Sequence, residues 1–164
     1  GVTNTDSKDL AKSAVIKASD ETQDGKAINV IDGINRNIGD GSSHQWCADM
    51  ATKEPWIELQ WKKPVNISTI EFTFDTALNR FLRISGEKAI MKKQVRGVQP
   101  ETVCDYKIEG KLGGKIVYEE SIKNNYVRKK SHNFSTIKAD AVRLIVTKTN
   151  GDALARVFEI RCYS

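Results

Sequence analysis

Nine side chains in this sequence have the types that grip hydroxyl groups: His44, Asp75, Asn79, Arg80, Tyr126, Arg128, His132, Asn150 and Arg156. Arginine, asparagine and histidine present donors and acceptors to neighbouring hydroxyls, and an aromatic ring offers an apolar face to the C–H side of a pyranose. All nine fall near the ends of predicted strands, where loops on a rigid scaffold build binding sites. Each also has a structural role open to it. His132 can hydrogen-bond a neighbouring strand. Arg156 can pair with a loop carboxylate or hold the turn at Asn150–Gly151. Trp46 reads as core, and Trp56, just before a strand, as a filler of the sandwich edge.

Catalysis finds less support. There are two histidines, and no G-x-S-x-G elbow surrounds a serine. Gly110 and Gly113–Gly114 fall in a predicted hairpin turn, so no glycine loop is available to cradle a phosphate. Paired carboxylates can hydrolyse glycosides, but Asp and Glu here fall mostly at outward strand positions, where solvated surface is the simpler account. The chain is expected to be non-catalytic.

The net charge of +5, from 26 basic and 21 acidic residues, is a mild excess. The basic clusters, Arg80 to Arg96 and Arg128-Lys129-Lys130, are short and carry few interleaved aromatics, so no nucleic-acid partner is expected. Three cysteines, Cys47, Cys104 and Cys162, leave at least one without a partner in the chain. Without a C-x-x-C spacing they read as buried thiols.

The elements that must position these groups are strands. Ile57, Leu59 and Trp61 alternate with Glu58 and Gln60. Ile70, Phe72 and Phe74 alternate with Thr69, Glu71 and Thr73, and Pro64-Val65-Asn66 reads as the connection between the two runs. The same period of two recurs at Cys104–Ile108, Lys115–Glu119, Val142–Val146 and Phe158–Cys162, and His132-Asn133-Phe134 begins another short strand. Asp9 to Lys17 fits a short helix, but Ala14–Ser19, rich in Val and Ile, is preferred as the first strand. Thr149-Asn150-Gly151-Asp152 is a turn signal. Seven or more short strands without a long amphipathic helix predict an all-β sandwich or barrel. The 164 residues suffice for one domain, and no apolar run approaches the ~20 residues of a membrane span. The chain starts at Gly1, without a methionine or signal segment, so it is expected to be processed or cut from a larger secreted protein.

Several of these segments, taken in order, resemble a known family: Asn29-Val30-Ile31-Asp32-Gly33, Trp46, Pro55-Trp56-Ile57-Glu58-Leu59, Ile67-Ser68-Thr69-Ile70 and Ala155-Arg156-Val157-Phe158-Glu159-Ile160-Arg161. Together they are similar to coagulation factor V/VIII type C, or discoidin-like, domains. Those domains share a galactose-binding-like jelly-roll sandwich with the family 32 carbohydrate-binding modules. Phe72-Thr73-Phe74-Asp75-Thr76 and Asn125-Tyr126-Val127-Arg128 look like a bacterial branch appended to secreted or periplasmic enzymes. The resemblance implies a monomeric, non-catalytic module outside the cytoplasm, binding glycan through loops at one end of the sandwich and joined to a parent catalytic domain. It also implies a structural calcium ion held by Asp32 and Glu159. Ca²⁺ takes six to eight oxygens; Asn29 and Asn35 can add carbonyls and Ser43 a hydroxyl. The loop between Gly33 and Trp46 is longer than the family pattern, and Asp32 can equally cap its own turn.

A second reading makes the chain a structural accessory that docks on its parent enzyme without binding sugar. The mixed basic and apolar stretch Leu78 to Pro100 would then be the docking surface.

Overall fold

The computed structural model describes residues 6–34, 43–51, 54–75 and 103–164. Its strands are β1 (Val15–Ala18), β2 (Trp46–Asp49), β3 (Trp56–Phe74), β4 (Val103–Leu112), β5 (Lys115–Ile122), β6 (Lys129–Thr149) and β7 (Leu154–Tyr163), with 3₁₀ turns at Leu10–Ser13 and Ala27–Ile31. Asn35, Asn79, Arg80 and the Leu78–Pro100 stretch lie outside the described residues. The preferred strand at Val15–Ala18 is present, and the short helical signal before it is the turn at Leu10–Ser13, capped by the Asp9 carboxylate on Ala11 N–H at 3.0 Å.

The pairing order is β2-β7-β3-β6-β4-β5, all antiparallel, with β1 added to β3. β3 and β6 belong to both layers. The first half of β3 (57–60) pairs with β1, and its second half (69–74) with β7, while β6 follows β3 along its length. In β6 the later half, 141–149, also carries β4. One layer is therefore β1, early β3, late β6, β4 and β5; the other is β2, β7, late β3 and early β6.

Two sequence expectations are corrected here. Pro64-Val65-Asn66 is no loop between strands, and His132-Asn133-Phe134 does not start a strand separate from Val142–Val146. Each pair of short runs is one long strand, of 19 and 21 residues. The alternation breaks because the register shifts: Gln60 faces Ala141 and Val65 faces Ala139, so residues 61–64 stand against Asp140 alone. Pro64, with no N–H to donate, sits in that irregular stretch, where a strand tolerates it. Trp61, also in the stretch, is buried and its indole N–H donates to Leu10 O at 2.9 Å, which ties the first 3₁₀ turn to the bend.

A third correction concerns charge. Glu58, Glu109 and Glu159 point away from the apolar face of their strands yet are buried. Glu58 accepts from Gln60 Nε2 at 2.9 Å and from Arg143 Nε at 3.3 Å, with Lys111 Nζ at 3.4 Å. Burial alone would raise its pKa, but these donors outweigh it and hold the carboxyl below its ordinary value. Gly110, predicted in a turn, lies inside β4; a Cβ there would come within 2.7 Å of Ile137 Cδ1. The hairpin turn itself is made by Gly113 and Gly114, at φ +56° and +81°.

The layers meet through an aromatic cluster. Phe72 and Phe74 of late β3 touch Tyr106 of β4 with centroids 5.7 and 5.3 Å apart. Inside it Tyr106 Oη and His132 Nε2 are 2.8 Å apart, so the one polar pair in the cluster is satisfied. Trp46 is fully buried in the core, as expected, with its N–H on Asp20 O at 2.9 Å. All three cysteines are buried and unbridged.

His132 gives the core a pH dependence. Burial, with Lys130 adding and Glu120 opposing, holds its pKa below the ordinary histidine value. The unfolded chain then takes up the proton first, so stability is full above the ordinary histidine pKa and falls as pH drops through it. Urea unfolding between pH 7.5 and 5 should show this fall, and His132→Gln should flatten it. Equal slopes for the two proteins would remove His132 from the account.

Candidate functional site at the loop end

The folded-over β3–β6 ribbon brings several strand termini to one end. Phe74 N–H donates to Arg128 O at 2.6 Å, so the exit of β3 lies against the entry of β6. Asn125 N–H donates to Cys104 O at 2.8 Å, tying the β5–β6 loop to the start of β4. Asn150 Nδ2 donates to Asn125 O at 3.2 Å and brings in the β6–β7 turn. Of the nine hydroxyl-gripping candidates, Asp75, Tyr126, Arg128, Asn150 and Arg156 are gathered on this end.

Arg156 is held by its own turn. Its Nε donates to Asp152 Oδ2 at 2.6 Å, and Cys47 Sγ lies 3.8 Å from its Nη1. Burial opposes the guanidinium charge, but Asp152, Cys47 and Asp75 prevail and hold its pKa above the ordinary arginine value. Asp152 also accepts from Leu154 N–H at 3.0 Å, and its carbonyl takes the Thr149 hydroxyl at 2.6 Å, which fixes the turn that the Asn150-Gly151 signal predicts.

Arg128 lies with its guanidinium carbon 5.9 Å from the Phe158 ring centre. Phe158 is the extra residue of a bulge, since Thr73 faces Glu159 while Phe74 faces Val157. Beside Arg128, Tyr126 is 71% exposed and is the one fully exposed aromatic among the described residues. The tryptophans offer no open ring face there: Trp46 and Trp61 are buried, and Arg143 covers Trp56 at 3.7 Å. An aromatic ring beside a guanidinium and the Asn150 amide is an arrangement that can stack on a sugar face and bond its hydroxyls.

His44 and His132 stand apart from this group. His44 is buried, with Nδ1 2.9 Å from Asp32 Oδ2, and His132 belongs to the core cluster. Around the proposed calcium ligands, Asp32 Oδ1 accepts from Ile34 N–H at 2.7 Å, the local turn open to it from sequence. Gly33, at φ +85°, completes that turn. Asn29 Nδ2 donates to Gln45 O at 3.0 Å, and Ser43 is half-buried beside His44. One oxygen of Glu159 takes the Arg161 guanidinium. Its other oxygen, Oε2, is buried without a hydrogen-bond partner among the described residues, as is Gln45 Oε1. Among the described residues no three His, Cys, Asp or Glu side chains come together as a metal cluster.

Asn125 is a residue that sequence reasoning passed over. It is buried, and its Nδ2 donates to Val103 O at 2.8 Å and Val127 O at 3.2 Å. With its backbone N–H on Cys104 O and its carbonyl accepting from Asn150, Asn125 joins the start of β4, its own loop and the β6–β7 turn. The sequence marks it only as a polar loop residue, in the Asn124-Asn125 pair and the Asn125-Tyr126-Val127-Arg128 segment; Asn124 takes the left-handed conformation at φ +57°. Asn125→Ala should cost about 1–3 kcal/mol, because buried carbonyls lose their donor. Chemical denaturation measures this, and a loss under about 0.5 kcal/mol would show that the loops hold themselves.

A family model described as a domain of unknown function (DUF7402) matches residues 9–79. No curated protein matches the chain in sequence. Among solved structures, the chain is similar to the family 32 carbohydrate-binding module from C. perfringens NanJ, solved with galactose. The identity is 19% and the TM-score 0.62, over 94% of this chain and 96% of that one. It is similar to the family 32 module from Streptococcus pneumoniae EndoD at 15% identity and TM-score 0.68, over 95% and 99% of the two chains. The lectin domain of Lectinolysin, complexed with Lewis B antigen, aligns at 12% identity and TM-score 0.69, over 97% and 98%. At these identities the likeness carries the architecture, and the chain has the galactose-binding-like jelly-roll β-sandwich fold that the sequence resemblance implied.

Proposed function

We propose that this domain is a non-catalytic carbohydrate-binding module whose ligand site is the loop end around Tyr126, Arg128, Asn150 and Arg156. One observation carries the reading. The end of the sandwich that gathers these strand termini presents an exposed tyrosine beside an arginine, on a fold whose solved neighbours include domains with bound sugars. The mechanism is affinity: a shallow site holds glycan and raises its local concentration for whatever is joined to the module. A secreted, periplasmic or cell-surface parent enzyme is the partner this reading expects. Among the described residues no helix is long and apolar enough to cross a membrane.

The test is a broad glycan array probed with the 164-residue chain. Binding to a defined sugar is expected, weakened about tenfold or more by Arg128→Ala or Tyr126→Ala, the worth of one charged hydrogen bond or one stacked ring. Silence across the array from a folded sample would favour docking on a parent enzyme.

We extend the proposal to a structural calcium ion at Glu159. The donor chemistry fits in part: among the described residues Oε2 is a buried carboxylate oxygen with no hydrogen-bond partner, and Gln45 Oε1 is a second such acceptor. Asp32 contributes less, because its two oxygens already serve Ile34 and His44. When bound, the ion would supply a positive charge to oxygens that lack a donor. Calcium should raise the melting temperature of the chelator-treated protein by several degrees, and Glu159→Gln should abolish the rise. An unchanged melting temperature would overturn the calcium proposal and leave Arg161 as the counter-charge of Glu159 among the described residues.

A further inference from the structure

The flank of the sandwich is built differently from its loop end. Among the described residues β5 is the outermost strand of one layer and early β6 the outermost of the other, and side-chain contacts set them side by side. Alternate side chains meet across the gap. Tyr118 stacks on Phe134 with centroids 4.1 Å apart, and Glu120 Oε2 lies 3.6 Å from His132 Nδ1. Over this seam runs a groove of about 460 Å³, lined by Glu120, Ser121, Lys130, His132 and Asn133 among others. That volume lies within the ~300–1,000 Å³ range of small-molecule sites.

The floor of the groove is rigid. The His132 side chain is 4% exposed and its Nε2 is fixed on Tyr106 Oη at 2.8 Å. The walls hold spare polar capacity among the described residues. Glu120 uses Oε2 for the Tyr118 hydroxyl and faces His132 with it, which leaves Oε1. Asn133 uses Oδ1 for the Thr69 hydroxyl at 2.9 Å, which leaves its amide N–H groups. Lys130 has no ion pair and Ser121 no side-chain hydrogen bond among the described residues. The groove therefore offers one anionic acceptor, one cationic donor, one hydroxyl and one amide donor.

That set discriminates between ligand classes. An anion meets Glu120 and a cation meets Lys130, while an apolar molecule would desolvate polar groups and return no hydrogen bonds. A molecule with several neutral hydroxyls satisfies donors and acceptors together. We infer that the flank groove is a second ligand site, taking a neutral polyhydroxylated molecule such as one sugar residue of a glycan. The inference rests on the glycan-binding reading of the domain and deepens it. Two sites on one rigid body let a branched or repeating glycan bind with an avidity that neither site has alone.

The experiment is a ¹H–¹⁵N NMR titration of the labelled chain with galactose, fucose and N-acetylgalactosamine in turn. The expected result is a set of saturating amide shifts at Ser121, Ser131 and Asn133, with its own binding curve, distinct from the set at Tyr126–Arg128. Lys130→Ala and Glu120→Gln should each weaken the flank curve about tenfold and leave the loop-end curve unchanged. Shifts at the loop end with none at the flank, for all three sugars, would overturn the second site and leave the first reading standing. Flank shifts that never saturate, or that persist in both variants, would overturn it as well. No shift at either place would overturn both.

Discussion

The fold depends on the sharing of β3 and β6 between both layers. Most sandwich strands belong to one sheet, but here one two-stranded ribbon runs through each sheet in turn and folds over where residues 61–64 face Asp140 alone. The fold-over sets the two halves of β3 face to face and lets Phe72 and Phe74 reach Tyr106. It also carries the exit of β3 and both ends of β6 to the same end of the molecule. The loop-end site follows from that path: Arg128 lies beside Phe74, and Asn150 beside Asn125, because the strands that carry them have been turned back on each other.

Polar groups then decide how firmly that end is held. The loops bury carbonyls that need donors, and Asn125 supplies several from one side chain and its backbone. The Asp152 carboxylate does similar work for the β6–β7 turn and Arg156. Away from the loops, the outer face of the sheet carries a charge ladder in which Glu58, Arg143, Lys107 and Glu119 answer one another across strands. Glu58 is buried on that face, and the donors of Gln60, Arg143 and Lys111 outweigh its burial and hold its carboxyl below the ordinary value. Trp56 lies under Arg143 in the same face, so its ring is spent on the protein itself.

Much of this was legible in the sequence, and the failures have physical causes. Alternation at Ile57–Trp61 and Ile70–Phe74 marked the strands, since period two is the signature of a half-buried pleated surface. Pro64 hid their continuity, because a bulge and a loop share the same residue types. The gathering of Asp75, Arg128, Asn150 and Arg156 on one end could not be read from spacing: it is set by the fold-over, which depends on register between residues some 80 positions apart. The burial of Glu58 and Glu109 was missed for the same reason, as an outward side chain is covered by cross-strand neighbours that the linear sequence does not place beside it. Asn125 looked like one more polar loop residue. Arg156 was better marked, since an arginine four residues after Asp152 and beyond a Gly turn has a carboxylate within reach.

The central claim is that the end gathered by the ribbon is the surface that holds sugar. The most direct measurement is a crystal structure of the chain grown with a sugar that it binds. The account predicts a pyranose face against Tyr126 and hydroxyls within hydrogen-bonding distance of Arg128 or Asn150. A sugar bound instead over the outer face of the sheet, with Tyr126 and Arg128 in open solvent, would contradict it.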